Sequence, residues 1–202
     1  TQQSQSTFLM EVSQFWTLVT VTVKSRVVTV KGPRGQIQKN FRHAPVDIQM
    51  GEQDKKRNIS VSMWFGRYKQ KSMTKTVSSL INNMIKGVTK GYRYKMRLVA
   101  SHFPIKVEIP KDQKSIIIWN FLGGKKDKTV ICKQGVTIKV DEDVKDMLVL
   151  DGIDNANVSL TAALISQIVG CEIKRKDDRK FLDGIYVKDR LLAAEDDAAK
   201  NK

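Results

Sequence analysis

The 202-residue sequence is poor in the side chains that perform chemistry, with two cysteines and two histidines. Cys132 and Cys171 lie far apart and form no Cys-x-x-Cys pair, so neither a zinc site nor a disulfide framework is indicated, and a reducing compartment fits. His43 and His102 are too few for a zinc cluster and read as surface or loop residues. No metal or cofactor is expected. Long apolar runs are missing as well, and nothing approaches the roughly 20 apolar residues that a membrane-crossing helix needs. The stretch "FWTLVTVTV" at 15–23 could be mistaken for a targeting segment, but it lacks a basic flank and alternates with threonine, which marks a strand. Acids are scarce, 21 against 36 lysines and arginines, and the formal net charge is +15. The shortage is uneven. Residues 1–100 hold 18 basic and 4 acidic side chains, a balance of +14, whereas 101–202 hold 18 and 17, a balance of +1. Such a chain binds polyanions, and its basic field belongs mainly to the first half.

What is present is periodicity, in a chain that is 41% apolar and long enough for one large domain or two small ones. Val19, Val21 and Val23 alternate with threonines, followed by Val28, Val30, Ile37 and Phe41 around "KGPRG", which predicts antiparallel strands joined by tight turns. After "VDI" and "ISVSM" the period changes. Met73, Val77, Leu80, Ile81, Met84, Ile85 and Val88 form one helical stripe that Gly87 and Gly91 can end. The same order then recurs, with alternation at Ile105, Val107 and Ile109, at Ile116 and Ile118, at Val130 and Cys132, and at Val136, Ile138 and Val140. "MLVL" follows, and then a helix with Asn157 as N-cap and Gly170 as stop. A repeat of roughly 85 to 90 residues means duplicated domains and not a solenoid. The expectation is an α+β fold of two tandem similar domains, each an antiparallel-rich sheet packed with a helix. Its boundaries are an atypical extension at 1–17, a first domain at 18–100, a second at 101–190 and a disordered tail at 191–202.

Several segments invite a chemical reading. "GPRG" at 32–35 matches the Gly-x-x-Gly loop of single-strand RNA-binding K-homology domains, but that loop joins two helices, whereas this one lies between strand patterns and reads as a hairpin with Arg34 at its tip. "GGKKDK" at 123–128 lacks the first glycine and the hydroxyl residue of a phosphate loop, and reads as another basic hairpin carrying Lys125 and Lys126. "WFGRYKQKSMTK" (64–75), with Arg67, Lys69 and Lys71, and "KGVTKGYRYKMR" (86–97), with Lys86, Lys90, Arg93, Lys95 and Arg97, interleave cations with aromatics. Cations there can neutralise phosphate while Trp64, Tyr68, Tyr92 or Tyr94 stacks on an unpaired base; alternatively the aromatics belong to the core and the cations to a solvated face. In "RKFLDGIYV" the Asp183-Gly184 pair between apolar flanks signals a turn. No second acid, histidine or metal cluster converges on Asp183, so acid–base catalysis is not indicated. The densest acids, Asp141, Glu142, Asp143, Asp146, Asp151 and Asp154, read as a solvated outward side.

The motifs "VTVKGPRGQIQKNFRH", "NNMIKGVTKGYRYKMRLVASHFPIKV", "NFLGGK" and "RKFLDGIYV", in this order over roughly residues 18–190, resemble the universal large-subunit ribosomal proteins of the L-six family, called L-nine in eukaryotic naming, of the eukaryotic or archaeal type. The resemblance implies a non-enzymatic monomer within the cytoplasmic ribosome. It would bind large-subunit rRNA near the sarcin-ricin loop, beside other large-subunit proteins and close to where translation factors dock, with no membrane partner. It also implies that Lys174, Arg175, Lys176, Arg179, Lys180 and the "FLDGIYV" hairpin, with Tyr186, face RNA, and that Lys86 to Arg97 form a basic helix exit. The first 17 residues and the acidic, alanine-rich tail do not match the family. A free RNA-binding adaptor of K-homology type is the alternative, and the element around "GPRG", strands or helices, separates the two.

Overall fold

The computed structural model describes residues 6–10, 19–53, 56–141, 144–173, 180 and 182–200 of the protein. Strands come first, as the valine alternation requires. They are β1 (Ser6–Met10), β2 (Thr20–Lys24), β3 (Val27–Gly32), β4 (Gly35–Asn40), β5 (Asp47–Gln53) and β6 (Lys56–Met63), followed by the helix α1 (Tyr68–Thr89). β2, β3 and β4 make an antiparallel meander, and β1, β6 and β5 make a second antiparallel sheet in that order. Val28 and Val30 from the meander and Ile59 and Val61 from β6 are buried with Val77, Ile81, Met84, Ile85 and Val88 of α1. Each such side chain contributes about 1.5–3 kcal/mol when taken out of water. Gly87 lies buried inside α1, and Gly91, at φ 74°, lies just beyond its end.

A second series repeats this plan: β7 (Tyr92–Val99), β8 (Lys106–Glu108), β9 (Ser115–Trp119), β10 (Lys128–Ile131), β11 (Val136–Val140), β12 (Met147–Gly152) and the helix α2 (Asn155–Ile173). β8, β9 and β10 form the meander, and β11, β12 and β7 pair as β5, β6 and β1 do. In both series the opening strand pairs antiparallel with the strand that precedes the helix. The chain accordingly divides into Thr1–Thr89 and Lys90–Lys202. This moves the boundary expected at residue 100 towards the N-terminus, because β7 belongs to the second sheet.

Three further expectations are corrected. α2 is capped by Asp154, whose carboxylate accepts the Ala156 N–H at 3.1 Å, while Asn157 sits inside the helix and donates to the Gln134 carbonyl at 3.1 Å. Gly170 does not stop α2, which continues to Ile173. The segment beginning at residue 191, expected to be disordered, is ordered through Lys200. β13 (Gly184–Leu192) pairs antiparallel with the outer edge of β7, and the helix α3 (Ala193–Lys200) follows directly.

Candidate nucleic-acid interface

In the first unit the expected contacts gather at opposite ends of α1. "GPRG" joins β3 to β4, with Gly32 and Gly35 directly opposite each other, so it links two strands and not two helices. A Cβ on Gly32 would come 2.3 Å from Val88 Cγ1, and the Arg34 N–H donates to the Val88 carbonyl at 3.3 Å. The hairpin thus needs its glycine to close on α1, which brings the exposed Arg34 to the helix end that carries Lys86. Arg67, Lys69 and Lys71 stand at the other end, roughly 30 Å away along a helix of this length. No acidic residue occurs between Asp54 and Glu108, and the cations of α1 have no carboxylate neighbour on their own helix.

The second unit treats its cations differently. Along β7, Tyr92, Tyr94 and Met96 face the core, while Arg93, Lys95 and Arg97 share the opposite face. Burial pushes the Tyr92 hydroxyl up to about 12, with Tyr94 and Asp154 adding to the effect. The Tyr94 hydroxyl donates to Asn155 Oδ1 at 2.9 Å. Both rings are therefore core residues, whereas Trp64 and Tyr68 are exposed. Arg93 grips Asp151 through Nε at 2.7 Å and Nη2 at 3.1 Å, and its Nη1 reaches Asp196 at 2.9 Å and Asp197 at 2.5 Å. Those hydrogen bonds, that to Asp151 foremost, raise the guanidinium pKa further. Lys95 Nζ donates to Asp196 at 2.5 Å and Lys90 Nζ to Glu195 at 2.7 Å. The Arg93, Lys95 and Asp196 side chains are 15%, 13% and 8% exposed.

Arg93 and Lys95, expected to face RNA, are thus turned to the carboxylates of α3 and β12. Asp151 and Asp154, expected on a solvated side, serve as an ion-pair partner and a helix cap; Glu142 and Asp143 lie outside the described residues. Of the three cations on that strand, only Arg97 stays exposed. It lines a cavity of about 560 Å³ together with Ser101, His102, Lys145 and Asp146. Lys145 was not singled out from sequence, since it belongs to no motif with Arg97, and His102 was read only as a surface or loop residue. Lys125 and Lys126 are exposed in the loop between β9 and β10, as the basic-hairpin reading requires.

Asp183-Gly184 does not form the expected turn. Neither residue has positive φ, and Gly184 already begins β13. Asp183 is 4% exposed, and its carboxylate accepts the Ser101 N–H at 3.0 Å. The Tyr186 ring folds back over Gly184, where a Cβ would meet it at 2.8 Å, and its hydroxyl donates to the Leu182 carbonyl at 3.2 Å. Lys180 is exposed; Lys174, Arg175, Lys176, Arg179 and Phe181 lie outside the described residues.

A family profile described as ribosomal protein L6 matches residues 18–91. The large ribosomal subunit protein uL6 of Tetrahymena thermophila is 47% identical over 175 residues, covering 87% of this chain and 90% of that protein. Protein uL6A of Schizosaccharomyces pombe is 47% identical over 172 residues (85% and 87%), and uL6 of the archaeon Ignicoccus hospitalis is 40% identical over 170 (84% and 88%). The chain belongs to the ribosomal protein L6 family, a family of structural and not enzymatic ribosomal components.

Proposed function

We propose that the protein is a structural constituent of the large subunit of the cytoplasmic ribosome, where a single copy binds large-subunit rRNA among other ribosomal proteins. The observation that carries this reading is its near full-length similarity to uL6 proteins of eukaryotes and archaea. The chemistry agrees. The first unit presents Arg34, Arg67 and Lys69 exposed in a stretch with few acids, and the second presents Arg97, Lys125, Lys126 and Lys180, all suited to phosphate. Attachment near the sarcin-ricin loop, close to the translation-factor site, follows from the resemblance of "RKFLDGIYV" and its basic approach. The adaptor reading loses its support because "GPRG" joins two strands.

The test is sedimentation of an extract containing the tagged full chain, which should travel with the large subunit. A chain found only in the free cytosolic pool would overturn the proposal. With purified chain and large-subunit rRNA, about six phosphate contacts give a slope of log affinity against log salt of roughly −4 to −5. Binding indifferent to salt would refute a mechanism based on phosphate neutralisation.

A further inference from the structure

We infer that the junction between β6 and α1 is a stacking site for unpaired RNA nucleotides, built from Trp64, Phe65 and Tyr68 and flanked by Arg67 and Lys69. This rests on the RNA-binding reading above and adds the class of RNA that the first unit takes.

Isolated exposed apolar residues are ordinary on a protein surface. Here three aromatics within five residues are 52%, 78% and 88% exposed, at the start of a helix whose other large apolar side chains are mostly buried. Folding does not require them there. The junction is fixed by other groups: Met63 is buried beneath it, and Gly66 is tight against it, since a Cβ would come 2.4 Å from Met63 Sδ. Gln70 Oε1 accepts the Arg67 N–H at 2.9 Å, and the Arg67 carbonyl accepts the N–H groups of Gln70 and Lys71 at 2.9 and 3.0 Å. Phe65 has a φ of 53°, a left-handed conformation that a bulky residue adopts only under constraint. Its ring gains little burial in return. Strain held at an exposed side chain points to a task outside the fold.

Charge selects the occupant. Arg67 and Lys69 are exposed between and beside the rings, α1 has no acid in its first turn, and its N-terminal dipole adds positive potential. An apolar peptide would gain nothing from these cations. An RNA duplex keeps its base faces stacked internally and offers only phosphates and groove edges. Unpaired nucleotides offer both phosphate charge and free π faces, which is what rings interleaved with cations can hold.

The test uses the full chain and two fluorescein-labelled probes of equal length, a single-stranded oligoadenylate and a perfectly paired RNA duplex. Combined Trp64→Ala, Phe65→Ala and Tyr68→Ala should weaken single-strand binding roughly 5- to 150-fold for each base that loses its ring. Duplex affinity and its salt slope should stay unchanged. Combined Arg67→Gln and Lys69→Gln should weaken both probes and flatten both slopes. Phe65→Gly separates binding from folding: glycine relieves the left-handed backbone, so its melting temperature should equal or exceed that of the wild type while single-strand affinity falls. Equal loss on both probes overturns the stacking site, and so does unchanged single-strand affinity in the ring variants. The latter result, with wild-type RNA binding intact, assigns the patch to a protein partner and leaves the ribosomal reading standing. A wild-type chain that binds neither probe nor large-subunit rRNA removes the RNA-binding reading itself.

Discussion

Replacing Asp196 with asparagine removes charge from the ion-pair network while nearly preserving shape. Its carboxylate lies 2.9 Å from Arg93 Nη1 and 2.5 Å from Lys95 Nζ. Burial alone would raise its pKa, but the hydrogen bonds from Lys95 and Arg93 outweigh burial and hold it below the ordinary carboxylate value. Removing one partner from a fully buried pair costs about 3–5 kcal/mol, whereas an exposed pair is worth about 0–1 kcal/mol. In the variant Arg93 keeps Asp151 and Asp197, and Lys95 can turn towards water at the rim of α3. The expected loss is therefore about 1–2 kcal/mol, between the two limits. Because α3 is a short helix of eight residues, the loss should be read as local opening, a roughly 5- to 30-fold fall in hydrogen-exchange protection of the amides of Ala193–Lys200 at pH 7. The folded-state pKa of Asp196 is depressed, so its contribution is complete above the unfolded value near about 4 and disappears as pH falls through the folded value. The difference in protection between wild type and variant should accordingly shrink towards zero in acid. Equal protection at pH 7, or a difference that persists unchanged in acid, would refute the assignment.

Two other outcomes follow from the same geometry. Deleting residues 193–202 removes the carboxylates held by Lys90 and Lys95, so binding to a non-specific polyanion should become more salt-dependent, its slope steepening by about 0.7–0.9 for each additional phosphate neutralised; identical slopes would show that α3 masks no binding charge. Gly32→Ala drives a methyl group into Val88, and should destabilise the first unit by about 1–3 kcal/mol in thermal unfolding, partly recovered by adding Val88→Ala; full stability of the single variant would remove the proposed clamp of the hairpin on α1.

The architecture was legible wherever burial is apolar and local. The valine alternation gave the meander, the stripe from Met73 to Val88 gave α1, and the long repeat gave two similar units. Contacts between distant residues were not legible. The turn between β2 and β3 uses Ser25 at φ 48° and Arg26 at φ 63°, without the Gly or Asn that normally announces such a conformation. Asp183-Gly184 carries a strong local turn signal, yet Asp183 is drawn inward by the Ser101 amide, a partner far away in sequence. "AAEDDAAK" reads as disordered because it has no apolar stripe. Much of what holds it is electrostatic, and its cations lie about a hundred residues earlier. The same blindness affects the candidate site, since periodicity can place Arg93, Lys95 and Arg97 on one strand face but cannot say which of them acids will cover.

The duplication makes that covering interpretable. β1 and β7 occupy equivalent positions, each paired with the strand that leads into its unit's helix. On the far side of β1 no further strand pairs among the described residues, whereas β7 is joined by β13. An added edge strand satisfies a row of backbone donors and acceptors that would otherwise invite another chain. Here it does more, because its continuation into α3 carries Glu195, Asp196 and Asp197 back to Lys90, Arg93 and Lys95. The face of β7 that bears Arg93, Lys95 and Arg97 is thereby neutralised along most of its length, with Arg97 left exposed at one end. On α1 of the first unit the sequence places no carboxylate at all. The two copies of one fold thus differ in where carboxylates meet their cations: β12 and α3 supply them to the face of β7, whereas α1 carries none of its own.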